Sequence, residues 1–199
     1  MSLPQPSSAA VQSEEPSGAE FSQEERTELI RLAHESILAA LEYRKIPLDP
    51  PTPHLAEPRG AFTSLYLHGE LRGCVGYVLP VSSVYRAVAE TARAAAFDDT
   101  RFEPVTIEEA RHLCIELSIL SPPQPIAPEA VEVGRHGLLV SLHGFRGLLL
   151  PQVPTEHHWD RVTFLEQTCR KAGLPKDAWQ VEAMVEAFTA EVFGDKNSE

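Results

Sequence analysis

Leu71-Arg72-Gly73-Cys74-Val75-Gly76 is the stretch on which the fold reading turns. It follows the turn signal His68-Gly69-Glu70, and Ala61 to Leu67 before that turn alternates as a strand does. Two such runs joined across a glycine turn read as a β-hairpin. Successive side chains of a strand point to opposite faces, so Arg72 and Cys74 are expected to share one. A guanidinium beside a thiol favours the thiolate, which makes the sulfur a better nucleophile or metal ligand. Gly73 and Gly76 pack nothing, and glycine within a strand often marks a bulge or the close approach of a ligand or another backbone. The alternative is a buried cysteine used as a small hydrophobe, with glycines that only permit tight packing.

Upstream, Ser22 with Glu25 forms a capping box. Leu29, Ile30, Ala33, Ile37, Ala40 and Leu41 make one helical stripe, which should end near Arg44. Pro47 to Pro58 holds five prolines and reads as an extended connection. Downstream, Ser82 is placed to cap a second helix that buries Val84, Tyr85, Val88, Ala89, Ala92, Ala95 and Ala96. The loop Phe97-Asp98-Asp99-Thr100-Arg101-Phe102 mixes acids and an arginine between two aromatics. It is either a binding loop or a loop closed by its own salt bridge.

Thr106 with Glu109 is a second capping box. Leu113 to Ser121 alternates as a strand, with Leu113, Ile115, Leu117 and Ile119 on one face and Cys114, Glu116, Ser118 and Leu120 on the other. A carboxylate at Glu116, centred in so apolar a strand, either faces water or lines a site. His136–Leu142 and Arg146–Leu150 read as a hairpin around His143-Gly144-Phe145. Asp160 opens a helix carrying Phe164, Leu165, Thr168, Cys169 and Ala172, and Gly173 closes it. Val181 to Phe193 is ambiguous: Ala, Glu and Met favour helix, while Val and Phe allow a strand. Taken together these segments describe a mixed α/β chain, with a mostly antiparallel sheet and packed helices.

The 199 residues suit one domain, or one domain with a small appended lobe, and the formal charge is −12. Five glutamates and no Lys or Arg fall within residues 1–25, and residues 1–20 read as a disordered tail. So acidic a body, without a Lys/Arg run, argues against nucleic-acid binding. No stretch approaches a membrane span and no signal peptide is visible. Cys74, Cys114 and Cys169 are odd in number and widely spaced, which fits reduced thiols in a cytoplasmic protein. Cys114 and Cys169 read as packing residues. The Gly-x-Gly-x-x-Gly and P-loop signatures are absent. Glu156-His157-His158 holds possible metal ligands, but adjacent side chains point apart, so no metal site is assigned. His34, His54, His112 and His136 stand singly and read as surface residues.

The ordered set of motifs resembles the AMMECR-type domain, also called AmmeMemoRadiSam system protein A. Its hallmark Leu-Arg-Gly-Cys-Ile-Gly stands here at residues 71–76, with Val75 for Ile. Ala96-Phe97-Asp98 through Arg101-Phe102, Ile115 to Pro122, Arg146 to Val153, Trp159-Asp160 and Cys169 to Leu174 support it. The resemblance spans roughly residues 22–194. It implies larger and smaller subdomains around a cleft, a domain over 21–194 with a short tail at 195–199, and Val181–Phe193 as a strand. It also implies a Memo-like protein and a radical SAM protein as partners. The resemblance names neither a cofactor nor a settled activity, and the cofactor is unknown. Carried onto this chain, the site candidates are Arg72, Cys74 and Glu116 as the chemical group. Asp98, Arg101, Gln152, Glu156 and Trp159 would bind substrate. Thr100 stands where the family usually has Pro. Two readings follow: a cysteine-centred site acting on a small molecule or a partner's product, or a non-catalytic adaptor for those partners.

Overall fold

The computed structural model describes residues 19–195. The tail readings for 1–18 and 196–199 lie outside them. Glu20 and Asp195, assigned to those tails, are bonded into the fold. Glu20 pairs with Arg59, and Asp195 accepts from the Ile115 N–H at 2.7 Å.

Local signals set most elements. Ser22 and Glu25 close the capping box of α1 (Gln23–Leu41), and Thr106 and Glu109 that of α3 (Ile107–Ala110). α1 stops before Arg44 because Tyr43 turns left-handed (φ 55°), and Arg44 N–H bonds back to Ala39 O. The proline connection ends in a single 3₁₀ turn, His54–Ala56, which buries Leu55. α2 (Val84–Phe97) is capped by Ser83 rather than Ser82. The Ser82 carbonyl accepts from Arg59 N–H, so that residue belongs to the incoming chain and its neighbour takes the cap. β1 (Gly60–Leu67) and β2 (Glu70–Tyr77) form the expected hairpin. β5 (Gly137–Leu142) and β6 (Phe145–Leu149) form the second. Each turns on a His-Gly pair with both residues at positive φ, the form that matches strand twist.

The remaining elements are β3 (Leu113–Leu120), β4 (Gln124–Pro125), α4 (Gln152–Glu156) and α5 (Arg161–Lys171). Val181–Phe193 is not one strand: the chain breaks at Thr189 into β7 (Met184–Phe188) and β8 (Ala190–Gly194), which pair in different sheets. Alternation there buries Val185 and Ala187, so strand pairing overrides helix propensity.

Two antiparallel four-stranded sheets result, ordered β2-β1-β3-β8 and β4-β7-β5-β6. α1 and α2 cover one face of the first, burying Ala61, Leu65, Ile115, Leu117 and Ile119. α2 lies directly on β2: a Cβ at Gly73 would sit 2.1 Å from Ala95 O. Thr63 and Thr91 hydroxyls, both buried, satisfy each other there at 2.8 Å. α5 covers the second, smaller sheet through Phe164, Leu165 and Cys169, against Leu138, Val140 and Val185. The sheets join where β3 leads to β4 and β7 to β8. At that seam Ser121 N–H donates to Thr189 O, and Thr189 N–H to Ser121 Oγ, each at 2.9 Å. Leu120 and Phe188 flank the seam and are buried on the helix-free faces.

Candidate functional site

The helix-free face of the first sheet carries the site. Strand register puts Cys74 of β2, Ser64 of β1, Glu116 of β3 and Gly194 of β8 on one rung. Ser64 Oγ donates to Cys74 Sγ at 3.3 Å, and the cysteine is half-buried. Tyr66 is next along β1 on the same face. Burial, then the neighbouring Glu116 carboxylate and Cys74 sulfur, push its phenol pKa up.

The Cys74 backbone is clamped from outside. β2 is an edge strand, and the 98–102 loop straps onto it. Cys74 N–H donates to Asp99 Oδ2 at 2.9 Å, while Arg101 Nη2 donates to Cys74 O at 3.4 Å. Arg101 holds Asp99 in a fork, Nε to Oδ1 at 2.9 Å and Nη2 to Oδ2 at 2.7 Å. That guanidinium first, and the Cys74 N–H second, hold the Asp99 carboxyl well below the usual carboxylate range.

Arg72 is not beside the sulfur, contrary to the two-residue spacing. Leu65 pairs with Gly73 but Tyr66 pairs with Leu71, so Arg72 occupies a bulge. Its Nε and Nη2 bond Glu109 at 3.0 and 3.1 Å. Asp98 is also displaced. It is the exposed C-cap of α2, beside a different cleft lined by Tyr43, Tyr77 and Arg93. Gln152 and Glu156 are exposed on α4 of the smaller unit, and Trp159 stacks on His157 at 4.7 Å. No hydrogen bond or ion pair among the described residues ties these three to Cys74. The structure thus unites Cys74, Glu116 and Arg101 and separates the other candidates.

Beside Tyr66 and Glu116 opens a cleft of about 720 Å³, between the 68–69 turn, the start of β3 and the end of β8. Cys114 lines it and is exposed, not packed. Its register partner is Tyr66, so its side chain falls on the helix-free face. Cys169 is buried as expected, and burial raises its thiol pKa.

The AMMECR1 family model matches residues 30–193. This chain belongs to the AMMECR1 family. A protein of Methanopyrus kandleri is 41% identical over 194 residues, covering 92% of this chain and 94% of its own. One of Thermococcus kodakarensis is 41% identical over 183 residues, covering 84% and 89%. The crystal structure of an uncharacterized protein from Pyrococcus horikoshii superposes with a TM-score of 0.66 at 40% identity, covering 84% of this chain and 90% of that one. The mixed α/β fold read from the sequence is therefore the family's fold.

Within this AMMECR1 chain, sequence reasoning missed Ser64 and Tyr66, and it placed Asp99 in a loop closed by its own salt bridge without the bond to Cys74 N–H. Asp99 had a signal, because an acid two residues before an arginine in a short loop readily closes on it. Ser64 and Tyr66 had none, since only register brings them to Cys74. Among the described residues, no three or more His, Cys, Asp or Glu side chains converge to hold a metal ion. Among them, too, no helix is long and apolar enough to cross a membrane.

Proposed function

We propose that the helix-free face of the first sheet is a thiol-centred site. Cys74 serves as nucleophile or attachment point for a small molecule, or for a group delivered by a partner. Glu116, one strand beyond the Ser64 hydroxyl, is the acid/base. Arg101, rather than Arg72, is the cation bonded at this cysteine. The partners are those that the family resemblance implies, a Memo-like protein and a radical SAM protein.

The observation that carries this reading is the Cys74–Ser64–Glu116 rung. A sulfur, a hydroxyl and a carboxylate sit on adjacent strands, with the cysteine backbone pinned on its outer edge. Iodoacetamide labelling with peptide mass mapping tests it, because the chain contains its own references. Cys114 is exposed and Cys169 buried. Cys74 is expected to label faster than Cys114 despite lying deeper, and Arg101→Ala to slow it. Labelling no faster than Cys114, with a Cys74→Ala chain that still captures the Memo-like protein, would make the face a docking surface and not a reactive one.

A further inference from the structure

The cleft beside the rung has a charge pattern that specifies a class of ligand. At about 720 Å³ it is of a size to hold a small molecule. Tyr66, His68, His112, Cys114, Glu116 and Asp195 supply its polar lining, and no lysine or arginine contributes. Asp195 is already engaged, accepting from Ile115 N–H at 2.7 Å and lying 2.9 Å from His34 Nε2. Glu116 is different: no Lys, Arg or His pairs with it among the described residues. Arg72 and Arg101 are taken, by Glu109 and Asp99. Val192, on the neighbouring rung of β8, leaves an apolar surface 54% exposed beside that carboxylate. Glu116 is half-buried, its carboxylate neighbours the Tyr66 phenol, and among the described residues no cation balances it, which leaves it open to one.

We propose that this cleft binds a small molecule bearing a protonated amine, with the ammonium on Glu116 and the carbon skeleton against Tyr66 and Val192. The inference rests on reading the helix-free face as the ligand face, and it names the ligand class for that site. His68 and His112, ring centroids 6.5 Å apart, wall the far end and offer ring nitrogens to a bound N–H. An anion of the same shape meets two carboxylates and no cation.

Phenethylamine and its carboxylate counterpart hydrocinnamate, titrated against the full chain at neutral pH, separate the cases by calorimetry or ligand-observed NMR. The amine is expected to bind and hydrocinnamate not to. Glu116→Gln should weaken the amine about tenfold or more, the scale of a lost charge-assisted hydrogen bond. Val192→Lys leaves Glu116 in place on an exposed position, and it should expel the amine. Bound amine should also slow iodoacetamide labelling of Cys114, which lines the cleft. Equal affinity for hydrocinnamate, an unchanged amine affinity in Glu116→Gln, or no amine binding at millimolar concentration would each overturn the proposal. Cys74→Ala keeps the two readings apart. Amine binding that survives in that chain upholds this inference even where Cys74 is unreactive, and a reactive Cys74 without amine binding defeats this inference alone.

Discussion

Asp99 is the residue on which the Cys74 geometry depends. Its side chain is 7% exposed and accepts from both the Cys74 N–H and the Arg101 fork. Asp99→Asn keeps the shape but loses the charge. It is expected to destabilise the chain by about 1–2 kcal/mol, the low end for charged hydrogen bonds because Arg101 is largely exposed. Thermal melts would measure it. Arg72 likewise holds Glu109 below its ordinary range, with help from the Thr106 N–H. Depressed carboxyl pKa values stabilise the fold above about pH 4–5, where the unfolded acids are also ionised. That contribution is lost as pH falls through the folded values. The melting temperature should therefore drop on acidification, and less steeply in Asp99→Asn. The Thr106–Glu109 box and a salt bridge within the 97–102 loop were legible from spacing; the Arg72–Glu109 pair and the Asp99 bond to Cys74 N–H were not. Arg72 and Cys74 look like face-mates until the bulge opposite Leu65 and Tyr66 shifts one of them, and a bulge leaves little trace in a single sequence.

Among the elements, those with local signals were readable and those decided by partners were not. The capping boxes at Ser22 and Thr106 and both His-Gly turns follow from neighbours in the chain. Ser82 and Ser83 are indistinguishable until the incoming strand claims the first. Val181–Phe193 is a strand region because Val140 and Leu117 wait opposite Val185 and Phe193, contacts invisible to propensity. The helix-to-sheet approach was partly readable, since Gly73 and the alanine run of α2 are both small. At Gly73 that smallness is essential. Gly73→Ala puts a methyl carbon on Ala95 O, a backbone atom that cannot swing aside. It should cost about 2–3 kcal/mol, the range of overpacked cores, seen as a lower denaturant midpoint. Gly147, whose added Cβ would meet Ala172 N at 2.2 Å, plays the same part under α5.

At the scale of the molecule, the two sheets have separate hydrophobic cores and are joined by two crossings of the chain, β3 to β4 and β7 to β8. Hairpins were readable from the sequence, but the division of β7 and β8 between sheets was not. It depends on a break at Thr189 that has no turn residue. Separate cores imply separable openings. Phe164→Ala, at a fully buried site, should cost about 3–5 kcal/mol. Hydrogen exchange should then quicken in β5, β6 and β7 while β1 and β3 stay protected. Equal loss across both sheets would show one indivisible unit instead. The strap over β2 has a further consequence, for how these molecules behave in a crowded solution. A bare sheet border invites a second molecule to add its own strand. Here the peptide group most central to that border is already occupied by a carboxylate and a guanidinium of the same chain. Loosening the strap with Asp99→Asn should let light scattering rise with protein concentration, as uncovered borders zip together into fibres.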